Sequence, residues 1–345
     1  MTDPSNLPAE AAAINKVTSP HVHTFAVDAA ANIVAHDQRI TALEIEVAKL
    51  TQPPPPPPPP VAASTIAHVP SAWDTWPKGA VRTDWNVAAV VAQAKAQTLF
   101  SSSVAAADAT PSTPVVPVMV TVETPRTLQV AIPAGTRRGS SLDHSLTVYD
   151  ATRGLQTDLW EANGPPVTSA DGAAQFAAGS VTYGADAALL PLRCGLILPS
   201  DLYPANLGGP GPTHPLVFAI SDAGTGPGVY PSTTQYGGKT AGLPPFGARL
   251  GFPAGTTWPA MDKLSDYVCR CLADPMGGMF LRDLGTGGTL TIYGLDAINQ
   301  GGAATWAAAG VTLQENATLS PPLYYAVLSP LIPWDKLEAY NPPTP

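Results

Sequence analysis

The residues able to do chemistry are few and widely spaced. His21 and His23 flank a single valine, and an extended backbone points residues i and i+2 the same way. In an assembly of three chains the pair would bring six imidazoles to one axis, a set able to hold a metal ion. The plainer alternative is two exposed histidines beside a helix start. Asp143, Asp150, Asp158, Glu161 and Asp222 are the carboxylates from which a glycoside-cleaving pair could be drawn. Acids that end strands more often build turns. His214, just before the apolar run PLVFAIS, could act as a general base or simply hydrogen-bond within a loop. Arg193 precedes an apolar run and is expected to pair with a carboxylate. Trp160, Tyr203, Tyr230, Tyr236 and Trp258 lie near turn signals and are the candidate ligand contacts, because a ring face stacks on the apolar face of a pyranose; Trp334 has the same character. Each of them could instead pack in a core or between chains. No G-x-S-x-G, H-E-x-x-H, P-loop or calcium-loop pattern occurs. The expectation is therefore binding without catalysis, no catalytic residue and no cofactor.

The stretch that would present these residues is 28–60. Ile33, Ile40 and Val47 fall at heptad position a, and His36, Leu43 and Leu50 at d, with Ala26 and Ala29 continuing the seam upstream. That is a coiled-coil pattern of roughly three heptads. Arg39 at g and Glu44 at the next e can pair between chains over the Ile40 and Leu43 layers. His36 would form a polar layer that sets register. A helix this short is marginal alone in water and needs a partner. β-Branched residues at a with leucine at d favour two strands on packing alone. The segment RITALE, Arg39 to Glu44, resembles the R-h-x-x-h-E motif of three-stranded coiled coils, and that resemblance implies a trimer. Eight consecutive prolines, Pro53 to Pro60, then stop the helix. They impose polyproline II, a spacer of roughly 25 Å. With a helix of roughly 36 Å before it, the stalk reaches roughly 60 Å.

Composition sets outer bounds. The chain has 345 residues, 40 of them proline and 30 glycine, with only 12% charged. That favours loops and short strands over a helical enzyme. A net charge of −9 argues against nucleic acid as a partner. No apolar run reaches the roughly 18 residues of a membrane-spanning helix, and no basic-then-apolar leader is visible. Three cysteines, Cys194, Cys269 and Cys271, form no C-x-x-C pair and read as buried free thiols.

Taken in order, residues 1–27 read as an attachment peptide, 28–52 as the coiled coil, 53–60 as the spacer and 61–114 as a collar helix and hinge. Asp84 is the expected N-cap of a helix running to about Phe100. Trp73, Trp76 and Trp85 suggest packing between neighbouring chains, and 101–114, SSSVAAADATPSTP, reads as a hinge. From Val115 to residue 345, short apolar runs separated by turn signals predict a β-sandwich, mainly β and jelly-roll-like. The runs are 115–124, 127–135, 145–151, 155–162, 179–186, 194–199, 215–221, 248–253, 278–284 and 289–295. One amphipathic helix interrupts them at 262–273.

Stalk, spacer and large distal domain together resemble the trimeric fibres and spikes of tailed-phage particles. The blocks LTVYDATRGLQTDLWEA, LLPLRCGLILPSDL, THPLVFAI, FGARL and YVCRCLADPMGGMFLRD are similar to those of β-sandwich domains on bacterial and phage surfaces. Asp274-Pro275-Met276 departs from the Tyr-Gly pair of that pattern. The resemblance implies a homotrimeric structural virion protein on the particle surface. Its N-terminus would join capsid or tail proteins and its β-domain would meet a host surface glycan. A purely structural decoration protein, or a bacterial surface protein that binds or cleaves glycan, are the alternatives.

Overall fold

A computed structural model describes residues 66, 68–69, 71–122, 124–140, 143–180, 184–202, 213–285, 288–299, 302–316 and 323–342. The chain divides into two compact units, Met1–Pro59 and Pro60–Pro345, and every described residue belongs to the second. The coiled-coil positions Ile33, His36, Arg39, Ile40, Leu43, Glu44, Val47 and Leu50, the polyproline run, and His21 and His23 lie outside the described residues.

The body begins with β1 (Val81–Arg82), α1 (Val87–Ala96), β2 (Thr98–Ala109), β3 (Val115–Val120), β4 (Arg126–Ala131) and β5 (Leu146–Asp150). It continues through β6 (Leu155–Trp160), β7 (Ser169–Ala170), β8 (Gly172–Ala177), β9 (Leu216–Ile220), β10 (Arg249–Gly251) and α2 (Lys263–Ala273). The remaining elements are β11 (Met279–Leu284), β12 (Leu290–Asp296), α3 (Ala303–Ala308), β13 (Gln314–Asn316), β14 (Leu323–Val327) and β15 (Glu338–Tyr340). The protein is mainly β. One large sheet runs β1-β15-β10-β11-β9-β12-β2-β5-β6-β8, with β14 also on β2 and β13 on β14. A small sheet runs β4-β3-β7. A jelly roll is antiparallel throughout, whereas β9–β11, β2–β12, β2–β5 and β3–β7 are parallel pairs here.

β2 occupies the place where a hinge was expected. Its serines and alanines carry little apolar signal, yet Ser101 to Ala107 are all buried. It has three strand partners, β12, β14 and β5, and small side chains let those neighbours close in on it. α1 is shorter than expected. Its N-cap is Asn86, whose side chain accepts from the Ala89 N–H, while Asp84 instead takes both hydrogen bonds of the Arg82 guanidinium. α2 follows the expectation closely. The Asp262 side chain accepts from the Ser265 N–H at 2.9 Å, and Leu264, Tyr267, Val268, Cys271 and Leu272 face inward. The run 194–199 contributes only a bridge, Ile197 to Gly294, and the described residues of 179–186 form no strand.

The main core gathers around Phe100, Phe218, Phe280, Trp73 and Trp306. A smaller one, with Val118, Val130, Leu146, Val148 and Leu159, joins the small sheet to β5 and β6. Trp73, Trp76 and Trp85 find partners within the chain: Phe280, Tyr230 and the Arg82 guanidinium. The three cysteines are free and buried. No helix among the described residues is long and apolar enough to cross a membrane.

Candidate functional site

Two faults in strand register build the site. Between β12 and β2, Gly294 pairs with Ser102 but Leu295 pairs with Val104, so Ser103 is left over. Between β11 and β9, Leu281 pairs with Phe218 but Asp283 pairs with Ala219, so Arg282 is left over. A bulge of this kind re-aims the side chain it releases. Both released residues line the same cleft of about 330 Å³, together with Asp143, Ser145, Trp160, Asp186, Asp283 and Tyr293. Trp160 stands at the end of β6, and Asp143 and Ser145 lie just before β5, the antiparallel neighbour of β6, so all three meet at one end of that pair. Backbone bonds fix this rim. The Glu161 N–H donates to the Asp143 carbonyl at 2.7 Å, and the Ala162 N–H to the His144 carbonyl at 3.3 Å. His144 and Glu161 hold φ of 45° and 50°, conformations that cost energy outside glycine and gather at functional sites.

The floor is charged and mostly buried. Asp186 and Arg282 each expose only 3% of their side chains, and Arg282 Nε lies 2.8 Å from Asp186 Oδ2. Their approach is off the N–H axis, so proximity there does not become a hydrogen bond. Asp186 also accepts the Leu190 N–H at 2.7 Å. Arg282 reaches the Leu192 carbonyl at 3.2 Å, and its guanidinium lies 4.9 Å from the centre of the Tyr293 ring. Burial pushes the Asp186 carboxyl up to about 8, against the pull of Arg282. Burial, with Asp143 nearby, raises Asp283 to about 6 even though the Tyr293 hydroxyl is bonded to it. Tyr293 is raised by burial and by the same carboxylates. The cleft thus combines an aromatic wall, carboxyls able to carry protons near neutrality and a fixed cation. Perturbed acids in a concave site are a physical mark of function. A more open trough of about 620 Å³ shares Ser103, Asp143 and Tyr293 with the cleft and adds Tyr325.

Among the described aromatics expected to contact ligand, only Trp160 lines this cleft. Tyr230 packs 5.3 Å from Trp76, and Trp258 donates from Nε1 to Asp266 Oδ1 at 2.8 Å. Tyr236 is 80% exposed on its own loop, Trp334 is buried near Phe252, and Tyr203 lies outside the described residues. Among the carboxylates, Asp143 lines the cleft, Glu161 joins its rim through its backbone N–H, and Asp150, Asp158 and Asp222 serve structure. Asp150 accepts the Arg153 N–H, and Asp222 accepts the Lys239 N–H and the Thr240 hydroxyl. Asp158 is fully buried and takes Gln156 and the Leu192 N–H; burial raises it to about 6. Arg193 pairs with Asp108 as expected. Asp186, Arg282, Asp283 and Tyr293 escaped the sequence reading. One signal was available: Arg-Asp in the middle of MFLRDL puts two charges inside an apolar strand.

No family model matches the chain, and no curated protein and no solved structure matches it either.

Proposed function

We propose that this chain is a trimeric fibre or spike of a tailed-phage particle, on the head or the tail, whose β body holds a host-surface glycan in the Trp160 cleft. The reading rests on the heptad seam, RITALE and polyproline run in the sequence, which describe a stalk, and on one observation in the body. That observation is the indole of Trp160 beside Asp143, Asp186, Asp283 and Arg282, in a cleft that shares Ser103, Asp143 and Tyr293 with a larger trough. An indole face takes the apolar face of a sugar, and fixed carboxyls and a guanidinium hydrogen-bond its hydroxyls. Residues 1–27 then join the particle and 28–60 hold three bodies clear of it.

The test is retention of the purified full-length chain on host surface polysaccharide. Trp160→Ala is expected to weaken retention about tenfold or more, since aromatic anchors dominate such sites. Retention unchanged in Trp160→Ala removes the cleft from the proposal. No retention by the parent chain leaves the purely structural decoration role. A second reading, cleavage, is favoured by one observation: Asp186 and Asp283 are raised while Asp143 stands in the same cleft, an arrangement suited to general acid catalysis. Release of new reducing ends that Asp186→Asn abolishes would establish it.

A further inference from the structure

Three residues far apart in sequence meet away from the cleft. His68 lies just before the single turn Ala72–Thr75, Asp201 sits in the single turn Pro199–Leu202, and His214 stands just before β9. The Nε2 of His68 lies 2.8 Å from Asp201 Oδ1, and the Nε2 of His214 lies 3.5 Å from Asp201 Oδ2. Their three donor atoms fall within 4.8 Å of one another, and the two imidazole rings are 4.2 Å apart. We propose that this trio is a binding site for a divalent first-row transition ion, with zinc as its natural fit.

Three observations carry it. First, His214 is only 7% exposed, and its Nε2 stands 3.5 Å from Asp201 Oδ2, too long and poorly aligned for a well-formed hydrogen bond. A buried polar atom is rarely left this way, and an ion between nitrogen and oxygen accounts for it. Second, the other nitrogen of that ring is already committed. His214 Nδ1 lies 2.8 Å from the Pro215 carbonyl, so Nδ1 carries the proton and Nε2 keeps its lone pair for a metal. Third, the carboxylate is fixed in place, because the Leu198 N–H donates at 2.7 Å to Asp201 Oδ2, the oxygen that faces His214. Two imidazoles and a carboxylate form a three-ligand set of the kind that leaves a further position for water. Ligand atoms around zinc stand roughly 3.4 Å apart, given bonds of about 2.1 Å. The His214–Asp201 spacing already matches. His68 faces the other carboxylate oxygen, Oδ1, at 2.8 Å, and its side chain, 29% exposed, has room to shift as the ion enters. The ion would tie the segment at residue 68 to two places more than a hundred residues along the chain.

The probe is Co2+ alone, added to the full-length chain carrying His21→Ala and His23→Ala and made without a histidine tag. The expected result is uptake of about one ion per chain, with the visible absorption of low-symmetry Co2+, displaced by Zn2+. His68→Ala, which empties no core, should weaken uptake about tenfold or more while the circular dichroism is unchanged. Asp201→Asn should do the same. No uptake by the parent chain means a hydrogen-bonded trio only and overturns the proposal. Uptake that His68→Ala and Asp201→Asn both leave unaltered overturns it too.

Discussion

Asp186 sets charge against burial inside the cleft. Its folded value near 8 stands above its ordinary 3.8, so between those limits the folded chain holds a proton that the unfolded chain releases. Stability from this group is complete below about pH 4 and is lost as pH rises towards 8. Asp283 and Asp158, both raised to about 6 mainly by burial, act in the same direction over the lower part of that window. Thermal unfolding should therefore shift to lower temperature between pH 5 and pH 8. Asp186→Asn keeps the side-chain oxygen for the Leu190 N–H and removes the charge, so it should flatten the decline and raise the midpoint at pH 8. A wild-type midpoint that does not move over this range would sink the account. None of this could be read in sequence, because Asp186 looks like any acid ending a short strand run. Trp160 and Asp143 were legible as types of residue, and the fold supplied their juxtaposition.

Arg249 shows what the elements require. It is fully buried on β10, where Nε donates to Gly277 O at 2.8 Å and the two terminal nitrogens reach Trp76 O, Pro77 O and Met276 O. One guanidinium so closes the turn after α2 and fastens the segment before β1. Arg249→Met should cost about 3 kcal/mol or more in urea unfolding, because several carbonyls lose their donor inside the body. Arg249→Lys should not restore it, since an ammonium cannot span that fork. At Gly294 on β12 a Cβ would stand 2.2 Å from the Phe100 ring. Gly294→Ala should therefore destabilise on the order of 1–3 kcal/mol by overpacking; an unchanged urea midpoint would show that Phe100 moves freely. Strands with branched or aromatic residues, such as LTVYD and LVFAI, were legible from pattern. β2 was not, because a strand buried among three neighbours needs small side chains, and those read as a linker. The bulges at Ser103 and Arg282 are pairing events between distant strands and have no local signature.

At the scale of the whole molecule, the compact unit Pro60–Pro345 holds the cleft, and the heptads lie before it. The proposed division of labour makes a paired prediction. The full chain should sediment as a trimer, and Ile40→Asp with Leu43→Asp should dissociate it, since each buried aliphatic residue contributes about 2 kcal/mol. A fragment beginning at residue 60 should be monomeric with the β-sheet signal of the whole. Single sites in shallow clefts are weak, and three on one stalk raise apparent affinity by about 10²–10⁴ without any new contact. The fragment and the trimer should then bind a short oligosaccharide equally well per chain by calorimetry, while only the trimer is retained on immobilised polysaccharide. Equal retention of both would mean that the stalk adds no avidity and serves as a spacer alone. Unequal affinity per chain for the short sugar would place part of the binding site in residues 1–59 or between chains, and the Trp160 cleft would no longer account for recognition by itself.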